Sequence, residues 1–86
     1  MADKYTLVLR GEVKAQKFTD AREAAVAYYN ADAAKAPTVI REDEKGGARF
    51  LATTAEQRSP DGVNKFQKSV PDTTIDKAFR ETYDQL

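Results

Sequence analysis

The sequence predicts an α+β domain. It has an antiparallel sheet of four to five strands in the order β-β-α-β-β-(β)-α, with helices on one face. Three observations predict it. Segments with period-two alternation come in neighbouring pairs, residues 5–10 with 13–18 and 38–42 with 48–54, and short links join antiparallel neighbours. Between the pairs, residues 21–36 contain eight alanines and no Gly or Pro, which reads as helix. Apolar residues near the C-terminus repeat at helical spacing. Hairpins and helices in separate runs point to α+β rather than to a parallel doubly wound sheet.

Each element follows from local chemistry. In residues 5–10, Tyr5, Leu7 and Leu9 share one face and Thr6, Val8 and Arg10 the other. Gly11-Glu12 breaks this strand, and residues 13–18 return beside it. Asp20, with Glu23 three residues on, has the spacing of a capping box. Within the helix that it opens, Ala21, Ala24, Ala25, Tyr28 and Ala31 form a small-residue face. That face lies close to a sheet, with Tyr28 or Tyr29 filling the remaining volume and its hydroxyl at the rim. Pro37 ends the helix. Residues 38–42 and 48–54 flank the polar turn Asp43-Glu44-Lys45-Gly46-Gly47, whose glycines supply the positive φ a hairpin needs. Residues 55–64 read as the longest loop, with a turn at Ser59-Pro60-Asp61-Gly62. Residues 65–70 read as a short edge strand stopped by Pro71. Thr73 is then expected to cap a final helix with Asp76 at its third position. The apolar stripe of that helix is Ile75, Ala78, Phe79, Tyr83 and Leu86, and Asp76, Lys77, Arg80, Glu81 and Asp84 lie opposite.

Length and composition bound the function. Eighty-six residues make a single small domain, 1–86. The chain has no His and no Cys. That excludes a disulfide, a zinc–thiolate centre and any nucleophilic site built on Ser–His or Cys–His. The acidic group Glu42-Asp43-Glu44 at the hairpin tip lacks the spaced oxygen ligands of a calcium loop, so no metal is expected there. Gly46-Gly47 leads into a strand rather than a helix, so it does not cradle phosphate. No cofactor is expected, and a chain this short has little room for both a core and a deep pocket. No apolar run approaches the roughly 20 residues of a membrane helix. The N-terminus reads as a native start without a signal peptide, and the expected location is cytoplasmic.

Two binding readings remain. In the first, a protein partner meets a hairpin face or the Tyr28-Tyr29 helix, through Arg10, Tyr29, Arg41, Arg49 and Phe66. Aromatic and arginine side chains are the usual anchors of interfaces. In the alternative, a basic and aromatic sheet face binds single-stranded nucleic acid weakly through Arg49, Phe50, Lys65, Phe66 and Lys68. Residues 45–68 carry five basic side chains against two acids, Glu56 and Asp61, but the whole chain is neutral, whereas dedicated nucleic-acid binders show a basic excess. Lys45-Gly46-Gly47-Ala48-Arg49-Phe50 opens like an RNP1 motif but lacks its aromatics at the third and fifth places.

The segments Phe18-Thr19-Asp20-Ala21-Arg22-Glu23-Ala24, Ala36-Pro37-Thr38-Val39-Ile40-Arg41 and Ala48-Arg49-Phe50-Leu51-Ala52-Thr53-Thr54 resemble small accessory domains of conjugative plasmids and other mobile elements. The β-β-α-β-β order is also similar to small phage-encoded inhibitors, including anti-CRISPR proteins. The resemblance spans roughly the first two thirds of the chain. It assigns no individual residue a role; the missing imidazole and thiol point to a small non-enzymatic binding module, a mobile-element accessory or inhibitor protein in the light of the resemblance.

Overall fold

The computed structural model describes residues 4–43, 45–69 and 76–86. Its strands are β1 (Lys4–Val8), β2 (Gln16–Phe18), β3 (Thr38–Glu42), β4 (Ala48–Ala52), β5 (Thr54–Gln57) and β6 (Lys65–Lys68), and its helices are α1 (Ala21–Asn30) and α2 (Lys77–Gln85). The antiparallel strands β2-β1-β3-β4 form one sheet, and β5 and β6 form a separate two-stranded ribbon. The class is α+β, as the sequence predicts, with one strand more than expected.

That extra strand is β5. It lies where a loop is expected, because Thr54-Ala55-Glu56-Gln57 has no apolar alternation. Its pairing with β6 is organised by the predicted turn: Gly62 takes φ 84° and donates its N–H to the Ser59 carbonyl at 3.0 Å. A hydrogen bond from Ser59 also holds the Asp61 carboxyl below its usual pKa.

The first helix is shorter than the alanine run suggests. It stops at Asn30, and a 3₁₀ turn follows over Ala33–Lys35. The break falls at Asp32, whose carboxylate accepts the Ala34 N–H at 3.0 Å. A short acidic side chain here offers the backbone a cap in place of another α turn. Asp20 caps α1 as predicted, accepting from Arg22 N at 2.9 Å. The second strand is also shorter than expected. Residues 13–15 lie outside it, and Val13 is fully exposed.

The core lies between the sheet and the two helices. Leu7, Val39 and Ala52 form one buried cross-strand row, and Tyr5 begins the next. Ala24, Ala25 and Tyr28 of α1 and Phe79 of α2 close over them. The small residues let α1 sit near the sheet, and Tyr28 supplies bulk as the sequence implies. Its hydroxyl donates to the Thr53 carbonyl at 2.9 Å and the Ser69 carbonyl at 3.1 Å, tying α1 to both arms of the ribbon. Tyr29, one residue on, is exposed and meets Tyr83 edge-on at 5.7 Å.

Burial raises the Tyr28 pKa above its ordinary 10.0. The stability this contributes is complete below pH 10 and is lost as pH climbs from there through the folded value. Burial lowers the pKa of Lys68 from 10.5, so stability rises as that ammonium loses its proton, which opposes the tyrosine. Tyr28→Phe is expected to cost about 1–2 kcal/mol at neutral pH, because the Ser69 carbonyl loses this donor while the Thr53 carbonyl keeps only the Ser69 N–H at 2.8 Å. The same substitution is expected to flatten the fall in urea midpoint between about pH 10 and 12, the range above the ordinary tyrosine pKa. Urea titrations of both proteins across that range check it.

The C-terminal helix departs most from expectation. It begins at Lys77, with Asp76 as its N-cap. Thr73 and Ile75 lie outside the described residues. Asp76, expected on the solvent side, is buried because the helix starts three residues later than predicted. Ala78 and Leu86, expected on the apolar stripe, are exposed, whereas Phe79 is fully buried. Among the described residues, no helix is long and apolar enough to cross a membrane.

Candidate functional site

Alternation divides the four-stranded sheet into two faces. Tyr5, Leu7, Val39 and Leu51 turn toward the helices and are buried. Among the described residues, no helix covers the opposite face. Its central row runs Lys17–Thr6–Ile40–Phe50 across β2, β1, β3 and β4. On one side of this row lie Val8 and Thr38, which pair with each other, and on the other Glu42, which pairs with Lys4 of β1 and Ala48 of β4. Phe50 is 66 % exposed and Val8 40 %. Phe50 beside Ile40, with Val8 in the next row, makes an apolar patch rather than an isolated surface residue. Lys17 and Glu42 are exposed at its margins.

A bulge shapes the patch. Val39 pairs with Ala52 and Ile40 with Phe50, so Leu51 is the extra residue. Leu51 and Ala52 are consequently both buried, against the simple alternation read from the sequence. The hairpin beyond is held by Asp43, whose Oδ1 accepts from Lys45 N at 2.9 Å and Gly47 N at 2.8 Å. A Cβ on Gly47 would lie 2.8 Å from Asp43 Oδ2, so any other residue here makes that carboxylate shift.

The residues singled out from sequence fall in several places. Arg10 and Phe66 meet, with the guanidinium 5.8 Å from the ring centroid. Arg10 also pairs with Glu56 at 3.1 Å and donates its N–H to the Lys35 carbonyl. These contacts fasten the ribbon to the end of β1. Arg41 lies on the helix-side face, 3.7 Å from the buried Asp76 carboxylate. Asp76 accepts from the Tyr5 hydroxyl and from Phe79 N. Arg41 and Asp76 thus belong to the lock between sheet and α2. Arg49, opposite Arg41 in register, is exposed on that same side.

Lys68 donates to the Tyr29 carbonyl at 2.7 Å and lies 5.7 Å from the Tyr28 ring centroid. Lys65 is exposed on the ribbon, on the face opposite Phe66 and Lys68. Phe50 alone of all these residues belongs to the open sheet face. Its companions Val8, Ile40, Thr6, Lys17 and Glu42 were legible only from the register of both hairpins together.

Two grooves adjoin α1. One, of about 430 Å³, is apolar and lined by Phe18, Arg22, Glu23, Val26 and Ala27. The other, of about 260 Å³, lies between the helices and is lined by Arg22, Ala78, Glu81, Thr82 and Gln85. Neither gathers two carboxylates in the manner of an acid–base pair. Among the described residues, no group of three or more acids could hold a metal ion. No protein-family model, curated protein or solved structure matches this chain.

Proposed function

We propose that this protein is a non-enzymatic, cytoplasmic protein-binding module whose contact surface is the open face of the four-stranded sheet. The observation that carries this reading is Phe50. It stands two-thirds exposed at the end of the row Lys17–Thr6–Ile40–Phe50, next to the row that holds Val8. Exposing an aromatic ring to water is unfavourable by about 25 cal/mol per Å² of apolar surface, and a partner removes that cost. Threonines and charges of both signs around an apolar centre match the core-and-rim composition of interfaces. The absence of imidazole and thiol from the chain supports action by contact rather than by bond-making.

The test is photo-cross-linking in cells from a benzoyl-phenylalanine placed at position 50, with position 58 in the ribbon loop as control. Discrete protein adducts are expected from position 50 and none from position 58. Equal labelling from both positions, or adducts removed by nuclease, would overturn the reading; the latter would favour the nucleic-acid alternative.

A further inference from the structure

We infer that the outer edge of β2 takes up an extended segment of another protein, one in which an acidic residue stands between two large apolar ones. β2 stands at one end of the strand order, and among the described residues only β1 pairs with it. The backbone N–H and C=O groups that point away from β1 form a free edge, onto which an added strand hydrogen-bonds. An extended backbone is the occupant that offers donors and acceptors at the matching spacing.

The surroundings of this edge specify the side chains of that strand. Pairing with β1 puts Phe18 and Gln16 on the helix side with Tyr5 and Leu7, and Lys17 on the open face with Thr6. α1 packs over β1 and β2. Its flank, with Phe18 of β2, forms the apolar groove of about 430 Å³, where Val26 and Ala27 line the wall and Arg22 and Glu23 bring the charges. Val26 is 39 % exposed there. A strand laid beside β2 turns every second side chain toward the helices, so the residues opposite Gln16 and Phe18 enter beside this groove. Apolar side chains at those two places extend the core by one strand and cover Phe18 and Val26. The residue between them lies on the open face directly opposite Lys17, where a carboxylate makes a cross-strand ion pair. Lys17 has no ion-pair partner among the described residues. Glu23, on the groove, disfavours an acid on the helix side. The pattern apolar–acid–apolar reads the same in both directions, so it fits a parallel or an antiparallel strand.

A second copy of this chain does not suit the edge. Two β2 strands paired over their full length about a two-fold axis set Lys17 of one copy against Lys17 of the other. Like charges directly opposite are destabilising, and an edge lysine is a common guard against such pairing. The same lysine favours an acidic strand from elsewhere.

Selection of phage-displayed random nonapeptides on the immobilised protein tests this, with enriched sequences synthesised and titrated by fluorescence polarisation. Enriched peptides are expected to carry an acid between two large apolar residues. N-methylation of one alternate set of peptide amides is expected to abolish binding, and of the other set to leave it, as pairing along a strand edge requires. K17E is expected to weaken binding about fivefold or more, and exchanging the peptide's acid for lysine to restore it. V26E, which puts a charge into the groove, is expected to weaken binding at least about tenfold. F50D, on the open sheet face, is expected to leave it unchanged. Lys17, Val26 and Phe50 are exposed, and far-UV circular dichroism of each variant verifies the fold. Failure to enrich any sequence, enriched peptides without the alternation, or binding indifferent to both K17E and V26E overturns the inference. Binding lost in F50D and kept in V26E overturns it too, and leaves the sheet face standing as the contact surface.

Discussion

Asp76→Ala is expected to lower the unfolding free energy by about 3–5 kcal/mol, the range for breaking a buried charged pair by removing one partner. Three functions end with this one carboxylate. It accepts the Tyr5 hydroxyl, it caps α2 through Phe79 N, and it faces Arg41 at 3.7 Å. The loss leaves the tyrosine hydroxyl without this acceptor inside the core and the helix start uncapped. A chain of 86 residues has about 4–13 kcal/mol of stability in total, so the variant is expected to be largely unfolded at modest urea. Asp76→Asn keeps a good cap but gives up the charge, and an intermediate loss is expected. Urea unfolding followed by circular dichroism measures both. A loss under about 1 kcal/mol for Asp76→Ala would mean that the lock between sheet and α2 contributes no more than an exposed ion pair.

Phe79→Ala is expected to cost about 3–5 kcal/mol through lost burial and the cavity left behind. Phe79 is fully buried, stacks on Tyr5 at 6.4 Å and meets the tilted Tyr28 ring at 6.2 Å. It is also the buried residue of α2, so the loss should be read most strongly in that helix. Hydrogen exchange is expected to show the α2 amides opening before those of β1 and β3. Uniform loss of protection across helix and sheet would instead place α2 in the same cooperative unit as the strands. Asp76 and Phe79 share the first turn of α2, so the double variant is expected to cost less than the two single losses together.

The parts of this fold governed by local chemistry were legible in the sequence. The β3–β4 hairpin follows from alternating residues around Asp43 and the glycines, and α1 follows from alanine and an Asp20 cap. Tyr28 and Tyr29 were readable as one buried and one exposed ring, since adjacent helical residues point about 100° apart. What failed depended on tertiary partners. The polar β5 has no pattern of its own and exists because β6 returns beside it. Asp76 reads as a solvated charge on a helix face, and only the convergence of Tyr5, Arg41 and the helix start makes it a core residue. The candidate surface was legible in pieces. Phe50 and Ile40 alternate correctly within their strands, but joining them to Val8, Thr6 and Lys17 requires the register of β1 against both β2 and β3. A bulge in the β3–β4 pairing, opposite Val39–Ile40, shifts the register of Phe50 in a way period-two counting does not foresee.

The claim that the uncovered sheet face is where this protein meets others is tested most directly by nuclear magnetic resonance. Backbone amide spectra of the isotope-labelled chain are compared in dilute buffer and in concentrated extract of the cells that produce it. The account predicts that shifts and broadening concentrate at Thr6, Val8, Lys17, Ile40 and Phe50. Changes centred on Arg22, Val26, Tyr29 and α2, with the sheet residues unmoved, would contradict it.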